Sequence, residues 1–91
     1  MSILLAAPLT ASAFGSDDQY DQCILQALRN SESSSVANIL RSSCQSLYRD
    51  GAMLLPREKA YHACILQNLP GVRDSFAAQQ IMQACSRRNQ M

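Results

Sequence analysis

Four cysteines, Cys23, Cys44, Cys64 and Cys85, have the widest choice of chemistry in this 91-residue chain. As thiolates they could attack a substrate, exchange electrons or hold a metal; as pairs they could be structural bridges. A redox enzyme needs an accessible, low-pKa thiolate, usually within C-x-x-C, and the chain contains no C-x-x-C. A structural zinc site draws on closely spaced ligand pairs, whereas twenty residues separate Cys23 from Cys44 and Cys64 from Cys85. The reading is two structural disulfides, with no metal and no cofactor.

The other reactive types add no site. His62 stands two positions before Cys64, so on a helix the two side chains do not face each other, and His62 reads as a solvated surface histidine. Asp17, Asp18, Glu58 and Asp74 sit where helix N-termini favour negative charge. Arg87 and Arg88 suit a helix C-terminus. No Ser/His/Asp set or paired-carboxylate site can be assembled, so the expectation is a protein that is not an enzyme. A net charge of +1 argues against nucleic-acid binding, which needs a clustered basic surface.

The elements that carry the cysteines occur twice. Tyr20-Asp-Gln-Cys23-Ile24-Leu25-Gln26-Ala-Leu28 returns as Tyr61-His-Ala-Cys64-Ile65-Leu66-Gln67-Asn-Leu69, displaced by 41 positions. At that offset Ala37 matches Ala78, Leu40 matches Ile81 and Cys44 matches Cys85. Asn30 falls opposite Gly71, the two residue types that best tolerate a left-handed backbone. Ser33 falls opposite Asp74, both good N-caps.

Each copy therefore reads as a helical hairpin. The first helix follows the Ser16-Asp17-Asp18 cap and runs to about Arg29, with Tyr20, Cys23, Ile24, Ala27 and Leu28 at the spacing of a core-facing stripe. The second runs from about Ser34 to Arg49, with Val36, Leu40, Ser43, Cys44 and Leu47 on one face. After Asp50-Gly51, the third runs from Pro56 to Leu69, with Tyr61, Cys64, Ile65, Asn68 and Leu69 inward; proline suits its first turn. Pro70-Gly71 stops it, and a fourth helix carries Ala77, Ala78, Ile81, Ala84 and Cys85. The fold class is all-α: two tandem disulfide-stapled helical hairpins, 17–50 and 56–89, forming a four-helix array.

Four cysteines allow three connectivities, and hairpin geometry chooses among them. Residues equidistant from a turn face each other, and the midpoints of Cys23/Cys44 and Cys64/Cys85 both fall inside predicted turns. The expected pairs are Cys23 with Cys44 and Cys64 with Cys85. Closing a loop of this length contributes about 3 kcal/mol per bridge in the chain-entropy model. That is comparable with the whole stability of so small a domain, about 4–12 kcal/mol.

Residues 3–13 have the form of a secretory signal ending in Ala11-Ser12-Ala13, an A-x-A cleavage site. This apolar run is shorter than the ~20 residues a membrane span requires. No Lys or Arg precedes it, so a basic leader is expected upstream of Met1. The expected division is a signal peptide over 1–13 and a single domain over 14–91, mature from Phe14. Export to the periplasm or beyond a bacterial cell accounts for an even cysteine count in a small domain.

Two features lie outside the staples. Met53, Leu54 and Leu55 form an apolar run between the hairpins, either a cover over the seam or a partner-binding patch. Tyr20 and Tyr61, repeated at the hairpin bases, are candidate partner contacts with rings packed and hydroxyls reaching water.

Cys64-Ile-Leu-Gln-Asn-Leu-Pro-Gly-Val and Ala77-Ala-Gln-Gln-Ile-Met-Gln-Ala-Cys85 resemble a pattern in small, exported, four-cysteine proteins of gamma-proteobacteria. The second repeat matches it well; the first matches at Cys23-Ile24-Leu25, Ala37 and Cys44. The resemblance implies export and duplication and supplies no site. The functional expectation is a small exported protein that binds another protein or serves as a structural module. The alternatives are an inhibitor or toxin-like effector of an extracytoplasmic enzyme, and a carrier of a small apolar ligand.

Overall fold

The computed structural model describes residues 15–89; the expected signal segment and the Phe14 start lie outside them. Among the described residues four helices follow in order: α1 (Gly15–Ala27), α2 (Ser34–Tyr48), α3 (Pro56–Asn68) and α4 (Ser75–Arg88). A single 3-10 turn, Gly51–Met53, connects the hairpins. No strand occurs among the described residues, and no described helix is long and apolar enough to cross a membrane.

The turns have the local chemistry the repeat requires. Asn30 takes φ 61° and Gly71 takes φ 86°, so both hairpins reverse through a left-handed residue at the same register. Because the chain leaves the helix ahead of Asn30, α1 ends at Ala27 and not near Arg29. The Ser33 hydroxyl accepts from the Val36 N–H at 3.2 Å, and the Asp74 carboxylate accepts from the Ala77 N–H at 2.8 Å. Pro56 opens α3, where Glu58 accepts from the Leu55 N–H at 2.8 Å. Each of these bonds satisfies a helix-end donor that has no partner inside the helix.

Both bridges form as expected. Cys23–Cys44 and Cys64–Cys85 each join two helices, with the Cα atoms of the paired cysteines 5.7 Å apart, and no cysteine is left free.

The core is one cluster: Ala27, Val36, Leu40 and Cys44 from the first hairpin, with Ile65, Leu69, Ala78 and Cys85 from the second. So small a core makes the two staples a large part of the stability. The hairpins do not contribute to it in the same way. In the first the fully buried large side chains are on α2; in the second, Ile65 and Leu69 are on α3 or its cap. α1, α3 and, more lightly, α4 pack on α2. The two inner helices are buried against each other and the two outer ones are half-covered. At the turn end, Arg73 Nη1 meets Glu32 Oε1 at 2.7 Å. These are equivalent positions, so the hairpins stack in tandem with their turns side by side.

One inward assignment is corrected. Asn68 is exposed, and its side-chain amide donates to the Cys64 carbonyl at 2.9 Å. That bond occupies an acceptor in the last turn of α3, a position where a polar side chain is useful outside the core.

Candidate functional site

The seam between the hairpins holds a polar contact that spacing along the chain does not reveal. Ser43, on α2, is 2% exposed, and its hydroxyl lies 2.9 Å from His62 Nδ1 on α3. A buried hydroxyl needs a partner, and His62 supplies one. The bond survives either ring tautomer, because a hydroxyl both donates and accepts. His62 is therefore not a solvated surface histidine. Its ring is half-buried and meets the Tyr61 ring edge-on at 5.2 Å between centroids. Burial pushes its pKa below the ordinary 6.5, and Glu58, one turn earlier on α3, acts in the opposite direction. With its hydroxyl sealed in the seam, Ser43 is not presented to a substrate.

The outer edge of this contact opens into a groove of about 790 Å³, lined by Leu54, Arg57, Glu58, Tyr61, His62, Ser86 and Asn89. Three elements build it. The 3-10 turn delivers Leu54, the first two turns of α3 deliver the next four residues, and the end of α4 closes the far wall. Its lining is mixed: one aliphatic and one aromatic side chain, a cation, a carboxylate and three further polar side chains. Such a surface can hold an apolar side chain and orient the polar groups around it.

The five candidate contact residues separate here. Leu54 and Tyr61 line the groove. Met53 and Leu55 stand exposed on the connecting segment, Met53 at 85%, so Met53 does not cover the seam. Tyr20 is elsewhere: the Arg49 guanidinium lies over its ring at 3.8 Å from the centroid, and Arg49 also reaches Asp17 at 3.6 Å. The same tyrosine of the repeat thus closes a cation–π contact in the first hairpin and borders the groove in the second. His62 and Ser43 were missed as a pair because only the packing of α3 on α2 brings them together. The signal available was Ser43 itself, a polar residue on an otherwise apolar stripe.

Other grooves among the described residues are open as well. One, between α3 and α4, is lined by Ala60, Ala63, Gln67, Ile81, Ala84 and Arg88, among others. Another exposes Ile24, Leu25 and Leu28 beside Arg29. Among the described residues, no three His, Cys, Asp or Glu side chains gather as metal ligands do.

Comparison with curated proteins finds no match, and neither does comparison with solved structures. The family model described as "Four-cysteine protein VF_A0006-like" matches residues 1–89. A chain with two C-x20-C hairpins, matched over nearly its whole length, belongs to that four-cysteine family.

Proposed function

We propose that this four-cysteine protein is exported to an oxidising compartment, the periplasm or the cell exterior. There it acts without catalysis as a protein-binding module, through the groove beside His62. The observation behind this reading is an open groove of mixed lining, with Met53 exposed beside it, on a scaffold whose hairpins are covalently closed. Bridges in a domain this small suit an oxidising environment. A closed scaffold loses little freedom on binding, so contacts made in the groove are not offset by ordering the module. The partner is a protein segment that places an apolar anchor against Leu54 and Tyr61 and polar groups against Arg57, Glu58 and Asn89.

The test is a photo-crosslinking residue at Met53 in a bacterial host, read in the cytosolic and extracytoplasmic fractions. The expected result is one discrete heterologous adduct outside the cytosol, reduced about tenfold by Leu54→Asp or Tyr61→Ser, a loss typical of an interface anchor. An adduct indifferent to both substitutions would remove the groove from the reading. A chain held in the cytosol with four free thiols would remove export.

A further inference from the structure

The repeat offers an internal control for every exposed surface. On α3 the face carrying His62, Ile65, Leu66 and Leu69 is laid against the first hairpin: Ile65 and Leu69 are fully buried, Leu66 partly so, and His62 bonds Ser43. Forty-one positions earlier, the same face of α1 carries Asp21, Ile24, Leu25 and Leu28. No hairpin precedes it among the described residues. Leu25 is 67% exposed, and Ile24, Leu25 and Leu28 line an open apolar depression bordered by Arg29.

Its charges indicate what covers this face. Asp21 and Leu25 lie one turn apart on α1 (i, i+4), and Arg29, in the turn that follows the helix, borders the same depression as Leu25. If two copies of α1 lie antiparallel and cross at Leu25, Asp21 of each copy stands opposite Arg29 of the other. The contact is then self-complementary: Leu25 meets Leu25 at the two-fold axis, flanked by two opposite-charge pairs, as a closed two-fold interface requires. Asp21 and Arg29 are both exposed and have no ion-pair partner among the described residues.

A head-to-tail stack continuing the repeat is disfavoured by α4. The positions of α4 equivalent to Val36, Ile39, Ser43 and Leu47 are Ala77, Gln80, Ala84 and Arg88, too small or too polar to repeat the apolar face of α2. We infer that α1 is the interface of a reversible, two-fold homodimer centred on Leu25. One helix face lies at the small end of specific interfaces, below about 1,200 Å² of total buried area, so the dimer is a weak one.

Sedimentation of the oxidised full chain tests this, from about 1 µM to about 1 mM, the concentrations over which a weak complex forms. The expected result is a monomer at the low end and a mass of twice the chain at the high end. Leu25→Asp should raise the midpoint at least tenfold with unchanged helicity and bridges. Asp21→Arg and Arg29→Asp should each weaken the dimer about threefold or more, an effect in the range of single charge pairs. The double variant Asp21→Arg/Arg29→Asp should restore it. A chain monomeric throughout, a dimer indifferent to Leu25→Asp, a swap that fails to rescue, or growth beyond two copies would each overturn the inference. A crosslinker at Leu25 should give a chain–chain adduct, so this surface and the Met53 groove fail or succeed separately.

Discussion

α1 and α3 begin from nearly the same string and end in different surroundings. Ile65 is fully buried against the first hairpin, while its equivalent Ile24 is half-covered; Leu69 is sealed, while Leu28 borders an open depression. The same inequality separates the second helices. Leu40 on α2 is fully buried, and its equivalent Ile81 on α4 is only partly covered. Residue type alone did not decide burial. Position in a stack of two did: an inner helix has a neighbour on both sides, an outer helix on one. This is the arithmetic of a short repeat array, in which each unit covers a face the other cannot cover alone.

The largest expected effect comes from opening the staples. Cys23→Ser/Cys44→Ser and Cys64→Ser/Cys85→Ser should each cost about 3 kcal/mol from loop closure alone. The first should cost more, because α1, α3 and α4 all pack on α2. Urea denaturation of the two double variants would give the order, and an equal or reversed order would count against α2 as the shared support.

Next comes the apolar comparison itself. Ile65→Ala should cost about 2–5 kcal/mol, the range for a fully buried aliphatic, and Ile24→Ala less than half of that. Matched losses in chemical denaturation would mean that α1 is covered as fully as α3.

A smaller effect distinguishes the turns. Gly71 has open space around any added Cβ, so Gly71→Ala should cost only the left-handed backbone penalty, about 1 kcal/mol. Asn30→Gly should be near neutral. A melting temperature unmoved by Gly71→Ala would show that the second turn does not need its φ of 86°.

The smallest effect is the pH dependence of the seam. Burial lowers the pKa of folded His62 below its ordinary 6.5, so the unfolded chain binds that proton more readily. The contribution is therefore present above 6.5 and is lost as pH falls through 6.5 toward the lower folded value. Unfolding free energies at a few pH values across that window should decline toward acid. His62→Gln should flatten the decline. A decline unaltered by His62→Gln would place its origin in other groups.

Much of this architecture could be read before the structure, because local chemistry was stated twice. Asn30 and Gly71, Ser33 and Asp74, and two equal cysteine spacings each confirmed one another at an offset of 41, and all three pairs have the expected geometry. What could not be read depends on packing between repeats. The Ser43–His62 bond joins residues 19 apart through the α2–α3 contact; the place of Ser43 on an apolar stripe hints at a buried partner but does not name it. Asn68 sits at an inward-looking period but turns back on its own helix, a choice periodicity does not see. The 3-10 turn at Gly51–Met53 carries no apolar period, so the exposure of Met53 became visible only with the fold.

The central claim is that each repeat closes on itself and the second docks on the first. Tryptic mapping of the unreduced protein tests the closure most directly, since Arg29, Arg41, Arg49, Lys59, Arg73 and Arg87 separate all four cysteines. The predicted result is two linked peptide pairs: one joins the segment ending at Arg29 to 42–49, and the other joins 60–73 to 74–87. A linked pair that spans residue 50, joining Cys23 or Cys44 to Cys64 or Cys85, would contradict the account.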